Sequence, residues 1–157
     1  KPTKNELKNW LIVNDSVMGG RSNSQFNINN SKFIFSGAVS MQNNGGFASV
    51  RRRLTQQESN QATTMKLVFS GDEKVYKLRF RVNGYLDGPA YETTIQSDGT
   101  KQTIEFNAQT FKAIYRSRAL PNAPLFNYSN ALQFEIMVAD KQEGEFEFII
   151  HQIEFIK

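Results

Sequence analysis

Period-two alternation of apolar and polar residues runs through most of this chain, and it restricts the fold more than any other feature. Phe33, Phe35, Gly37, Val39 and Met41 share one side of a stretch whose other side carries Lys32, Ile34, Ser36, Ala38 and Ser40. Met65, Leu67 and Phe69 repeat the pattern. Tyr76, Leu78, Phe80 and Val82 oppose Lys77, Arg79, Arg81 and Asn83. Tyr91, Thr93 and Ile95 follow, then Ile104 and Phe106, then Leu132, Phe134, Ile136 and Val138. Successive strand side chains point to opposite faces, so each run is a strand with one face buried. Near the C-terminus Phe146, Phe148 and Ile150 keep one parity, while Ile153 and Phe155 take the other. That change predicts a β-bulge near His151 and Gln152, or a strand covered on both sides.

Turn residues separate the runs, among them Ser70-Gly71-Asp72, Asp87-Gly88-Pro89 and Ser97-Asp98-Gly99. Helical signals are confined to a short turn over Thr55–Gln61 and a helical piece over Phe111–Leu120. About nine to eleven short strands joined by tight turns predict an all-β antiparallel sandwich, one domain over residues 1–157. Thirteen Phe against one Trp predict a core filled mainly by phenylalanine.

Composition removes several classes of function. Without cysteine, disulfides, thiolate zinc sites and thiol nucleophiles are excluded. His151 is the sole histidine, which excludes multi-histidine metal centres, so no metal or cofactor is expected. No apolar run approaches the ~20 residues of a membrane helix, so no transmembrane segment is expected. The net charge of +4 fits an anionic partner and an ordinary soluble surface equally. Lys1 opens the sequence without a Met, which leaves open whether a targeting segment has been removed.

Two stretches repeat one local chemistry. Asn14-Asp15-Ser16-Val17-Met18-Gly19-Gly20-Arg21-Ser22 and Asn43-Asn44-Gly45-Gly46-Phe47-Ala48-Ser49-Val50-Arg51 each place small polar residues before a glycine pair, with Ser and Arg after it. Such pairs serve positive φ or close approach, and Asn and Asp beside them shape turns. Gly19, Gly20, Gly45 and Gly46 therefore read as structural turns. An anion-holding nest at Gly19-Gly20-Arg21 is the functional alternative to a strand corner. Neither stretch has the spacing of a phosphate-binding loop.

Arginines form the other candidate set. Arg51 and Arg53 project to one side of a strand and Arg52 to the other, while Arg79 and Arg81 share a side with Lys77. Arg116 and Arg118 flank Ser117. If these strands are neighbours, guanidinium forks line one sheet face and suit carboxylate, phosphate or sugar hydroxyls. The alternative is a solvated face of cross-strand charge pairs with Glu92, Glu105 or Glu135. No carboxylate pair, serine elbow or histidine setting supports a catalytic residue. Nucleic acid is disfavoured, because the Tyr76–Val82 aromatic side reads as core and the charge excess is small.

Trp10 with Val13-Asn14-Asp15-Ser16-Val17-Met18-Gly19-Gly20-Arg21-Ser22 resembles the W…NDxVMGGxS opening of the complex I intermediate-associated protein 30 family. Asn43 to Arg51 is similar to that family's NGGFxSxR stretch. Tyr76 to Arg81 resembles its YxLRxR strand, and Phe111 with Tyr115-Arg116-Ser117-Arg118 its F…(F/Y)RGR segment. Asp140 to Phe146, with Ile149 and Ile153, matches its closing pattern. Ser117 stands where the family usually has Gly, which puts an unusual backbone there in doubt.

The resemblance implies a galactose-binding-domain-like jelly-roll sandwich and non-enzymatic work as a stand-alone domain, cytoplasmic if bacterial. Mitochondrial relatives are assembly chaperones of respiratory complex I. The implied partner is therefore a protein, with respiratory-complex subunits or assembly intermediates as the candidates. On that reading Asn14, Asp15, Ser22, Asn44, Ser49 and Arg51 organise a polar patch with Arg81, Arg116 and Arg118 nearby, and Asp15 pairs with one of the arginines. The rival is a small polar ligand or glycan, held by the same polar groups beside an apolar platform of Trp10, Tyr85, Tyr91 or Tyr115.

Overall fold

A computed structural model of the chain describes residues 2–15, 20, 22–42, 46–83, 88–116, 118–139 and 142–157, with Gln56 described by its main chain only. Twelve strands among these residues form two antiparallel sheets packed face to face. The strands are β1 (Trp10–Asn14), β2 (Asn23–Asn29), β3 (Lys32–Val39), β4 (Ala48–Arg53), β5 (Thr64–Ser70) and β6 (Val75–Arg81). They continue as β7 (Ala90–Gln96), β8 (Lys101–Asn107), β9 (Lys112–Tyr115), β10 (Arg118–Ala119), β11 (Gln133–Val138) and β12 (Gly144–Ile156). The seven-stranded sheet runs β1-β4-β11-β6-β7-β9-β10, and the five-stranded sheet runs β2-β3-β12-β5-β8.

The alternation explains how the layers meet. Phe134, Ile136 and Val138 of β11 stand opposite Arg52, Val50 and Ala48 of β4, and Phe134 and Ile136 also face Phe80 and Leu78 of β6. Apart from Arg52 these face Phe35, Phe69, Phe148 and Ile150 of the other sheet in one continuous core. Phenylalanine fills it, as expected. Phe80 is fully buried, with ring neighbours Phe111, Phe126, Tyr128 and Phe134 about 5 Å away. Burying one such ring stabilises by about 2–3 kcal/mol, and favourable ring pairs add roughly 1 kcal/mol each.

The C-terminal parity change is a bulge. β12 pairs with β3 through Ile150 and with β5 from Ile149 onward, with the register shifting between Ile150 and Gln152. The extra residue lets Phe148 and Phe155 both serve the core from one long strand.

Two expectations are corrected. Phe111–Leu120 is not helical: it holds the short strands β9 and β10, because Tyr91, Glu92 and Ala90 of β7 offer ladder partners to Ala113, Lys112 and Ile114. Leu132 does not extend the buried side of β11: it lies just before the strand and is 44% exposed, its main chain bonded to Leu54 and Arg81. The turn over Thr55–Gln61 contains a four-residue helix, α1 (Gln56–Ser59).

Candidate functional site

Asp15 directly follows β1 and is completely buried. Its carboxylate accepts from the Ser22 N–H at 3.0 Å and the Ser22 hydroxyl at 2.5 Å, and from the Gly46 and Phe47 N–H groups at 2.6 and 3.2 Å. Burial pushes this carboxyl upward, but the Ser22, Gly46 and Phe47 donors outweigh it and hold it below the ordinary carboxylate value. One acidic side chain thus ties both glycine-pair stretches together. It also reaches the other sheet, because the Ser22 hydroxyl accepts from the Ser40 N–H just after β3.

The glycines follow from this crowding. A Cβ on Gly20 would lie 2.4 Å from the Asp15 Cγ, so the close approach forbids any side chain there. Gly46 has φ +140°, a conformation suited to glycine, and it aims its N–H at Asp15. Beside this hub the Asn14 Oδ1 accepts from the Ser24 hydroxyl at 2.8 Å and the Ser49 N–H at 3.3 Å. The Ser49 hydroxyl donates to the Val13 carbonyl. The expected Asp15–arginine pair is not formed among the described residues: amide and hydroxyl donors fill both carboxylate oxygens. Gly19, Asn44 and Gly45, with the proposed nest at Arg21, lie outside the described residues.

A second cluster occupies the outer face of the seven-stranded sheet. Register places Leu11, Arg51, Glu135, Arg79, Glu92 and Lys112 in one row across β1, β4, β11, β6, β7 and β9. Charges alternate along this row from Arg51 to Lys112. Arg51 Nε donates to Glu135 Oε2 at 3.2 Å, and Arg79 Nε to Glu92 Oε2 at 2.6 Å. Arg81, from the adjoining row with Arg53 and Gln133, lies 3.3 Å from Glu135 Oε1 as an ion pair without hydrogen-bond alignment. Glu135 is only 1% exposed, and Arg51 and Arg81 are also buried. The cross-strand pairing with Glu92 and Glu135 is therefore present, but at its centre the face is not solvated. Arg51 Nη1 and Gln133 Oε1 are buried there without hydrogen-bond partners among the described residues.

Arg52 projects to the other side, into the open end of the sandwich. Its guanidinium contacts Glu58 at 2.6 Å and Glu6 at 3.1 Å, clamping α1 and the N-terminal 3-10 segment Lys4–Asn9. Burial works against its charge, but Glu58 and Glu6 outweigh that and raise its pKa. A cavity of about 90 Å³ lies beside it, lined by Trp10, Phe33, Glu58, Phe134 and Phe155 among others. His151 sits at the bulge, 2.8 Å from the Ser70 hydroxyl. Burial, with Lys101 and Lys32 nearby, lowers its pKa and favours the neutral ring.

The candidate residues therefore fall into separate groups. Asn14, Asp15, Ser22, Gly20, Gly46 and Ser49 meet at one end of β1 and β4. Arg51 and Arg81 meet on Glu135; Arg51 pairs with Leu11, four residues and so roughly 13 Å along the strand from Asp15. Arg116 follows β9, which lies beyond four intervening strands, roughly 24 Å from β1, and Arg118 is on β10, beyond five, roughly 29 Å away. Arg116 has φ +49° and its guanidinium sits 5.3 Å from the Tyr115 ring centre; Ser117, where an unusual backbone was in doubt, is not among the described residues. The aromatic candidates that are described lie in separate settings. Trp10 packs on Phe26 and Phe33, Tyr91 on Phe126, and Tyr115 carries Arg116, while Tyr85 is not among the described residues. The sequence reading missed Gln133 and treated Glu135 only as a pairing option. The signal for both was polar residues at alternate positions of the apolar run 132–138.

Residues 2–150 match the family model described as Complex I intermediate-associated protein 30. A comparison with curated proteins returns no match. Among solved structures, the family 11 carbohydrate-binding module of the cellulosomal cellulase Lic26A-Cel5E of Clostridium thermocellum superposes with a TM-score of 0.67. It shares 16% identity, over 94% of this chain and 87% of its own. A family 11 module from the same organism, in complex with a β-1,3-1,4-mixed-linked tetrasaccharide, gives 0.68 at 16% identity over 94% and 88%. A CBM4 structure gives 0.54 at 11% identity over 93% and 86%. At such identities the likeness concerns architecture alone. The fold is an antiparallel β jelly roll.

Proposed function

Because the chain belongs to the complex I intermediate-associated protein 30 family, we propose that it is a binding domain that holds a partner protein and performs no chemistry on it. The partner class is subunits or assembly intermediates of respiratory complex I. The observation that carries this reading is the family match over residues 2–150, which takes in both clusters described above. The chemistry of those clusters agrees with it: the carboxylate of Asp15 is consumed by structural hydrogen bonds, and that of Glu135 lies between Arg51 and Arg81. Affinity capture with the tagged chain from its own cells tests it. Complex I subunits are expected among the reproducibly enriched proteins; captures without any of them would overturn the reading.

A glycan ligand is the second reading, favoured by one observation: the likeness in fold to the module solved with a bound mixed-linked tetrasaccharide. Against it, the strand residues of the outer face of the seven-stranded sheet include no aromatic ring on which a sugar would stack. A thermal-shift screen with mixed-linked β-glucan oligosaccharides separates the two, and stabilisation at millimolar sugar would favour the glycan.

A further inference from the structure

The two outer faces of the sandwich differ in charge. The outer face of the seven-stranded sheet carries Arg51, Arg53, Lys77, Arg79, Arg81 and Lys112 against only Glu92 and Glu135, an excess of four positive charges among its strand residues. The outer face of the five-stranded sheet carries Lys32, Lys66 and Lys101 against Glu105, Glu145, Glu147 and Glu154, an excess of one negative charge. The positive excess on a single face equals the +4 of the entire chain. Charge gathered on one face steers an oppositely charged partner toward it, whereas the same charge spread evenly would not.

The same face holds more than charge. At the edge of the sheet Leu11, in the same row as Arg51, is 62% exposed and presents an apolar contact.

We propose that the outer face of the seven-stranded sheet docks an acidic segment of a partner polypeptide. Carboxylates of the segment meet the exposed cations of the face, Arg53 and Lys112 among them, and an apolar side chain covers Leu11. This deepens the protein-binding reading and rests on it.

The test uses the full chain and a labelled synthetic peptide of alternating Glu and Ser with one central Leu. A peptide with Gln replacing Glu and a sulfated oligosaccharide serve as comparisons. Two double variants, Arg53→Glu/Lys112→Glu on the seven-stranded sheet and Lys32→Glu/Lys101→Glu on the five-stranded sheet, alter net charge equally and change only exposed residues. The acidic peptide is expected to bind at least about tenfold more tightly than its Gln counterpart, and the first variant to lose about tenfold while the second loses nothing. Equal losses in both variants, equal binding of the Gln peptide, or binding of the oligosaccharide without the acidic peptide would overturn the inference. Affinity capture repeated with both variants separates the two levels. Complex I subunits that survive Arg53→Glu/Lys112→Glu leave the protein-binding reading standing and remove the acidic docking face. Their absence with every form removes both.

Discussion

Asp15 and Ser22 hold each other twice, the Ser22 hydroxyl reaching one carboxylate oxygen at 2.5 Å and its main-chain N–H the other at 3.0 Å. Between them runs the first glycine-pair stretch, and the remaining bonds of the same carboxylate close on the second. The hub explains why small residues and glycines surround an acid: each donor must come within hydrogen-bond reach of one buried group.

Asp15→Asn keeps the shape but turns one oxygen into an N–H₂ that faces N–H and O–H donors. Loss of at least about 2 kcal/mol is expected, read as a lower urea midpoint with an unchanged slope. Wild-type stability in the same assay would show that the hub is dispensable.

Gly20→Ala should be destabilising by about 1–3 kcal/mol, because the new methyl would lie 2.4 Å from the Asp15 Cγ. On an Asp15→Ala background the same substitution should cost much less. A double-mutant cycle measures that coupling.

Acid should weaken the hub in one direction only. The folded-state pKa of Asp15 lies below its ordinary value, so its contribution is complete above about pH 4 and is lost as pH falls below that, through the lowered value. The Asp15→Asn variant should therefore lose less stability than wild type between about pH 4 and pH 2 in denaturant titrations.

His151 acts at a higher pH. Burial and the nearby Lys101 and Lys32 lower its pKa, so below about pH 6.5 the unfolded chain takes up the proton more readily and stability declines. His151→Gln should flatten the fall in unfolding midpoint between about pH 7 and pH 5.5.

Glu135→Gln removes the anion between two buried guanidinium groups and should cost about 3–5 kcal/mol. Glu92→Gln, in the less buried pair with Arg79, should cost about 1 kcal/mol or less. Equal losses by thermal unfolding would mean that burial of the trio is energetically unimportant.

Much of the fold was legible because a strand with one buried face must alternate. The runs at 33–39, 65–69, 76–80 and 134–138 carry their own register, and the parity change at His151 announced a bulge. The weaker elements were not legible. β2 alternates Phe26 and Ile28 among Asn and Gln without a strong propensity, and β9 exists because β7 presents an edge to it. The glycine pairs marked their turns, yet no local pattern reveals that Asp15 spends its carboxylate on the second of them.

Residue order alone determined which side chains face inward, since that depends only on the period of the backbone and the apolar content of each run. Strand order decided the rest. Arg51, Arg81 and Glu135 come from segments up to 84 residues apart and become neighbours only because β11 lies between β4 and β6. The same order carried Arg116 and Arg118 to the far edge. Which charges pair, which atoms are left buried and unfilled, and which face gathers the positive excess are therefore properties of the sheet: electrostatic energy depends on distance in space, and only the assembled strands set that distance.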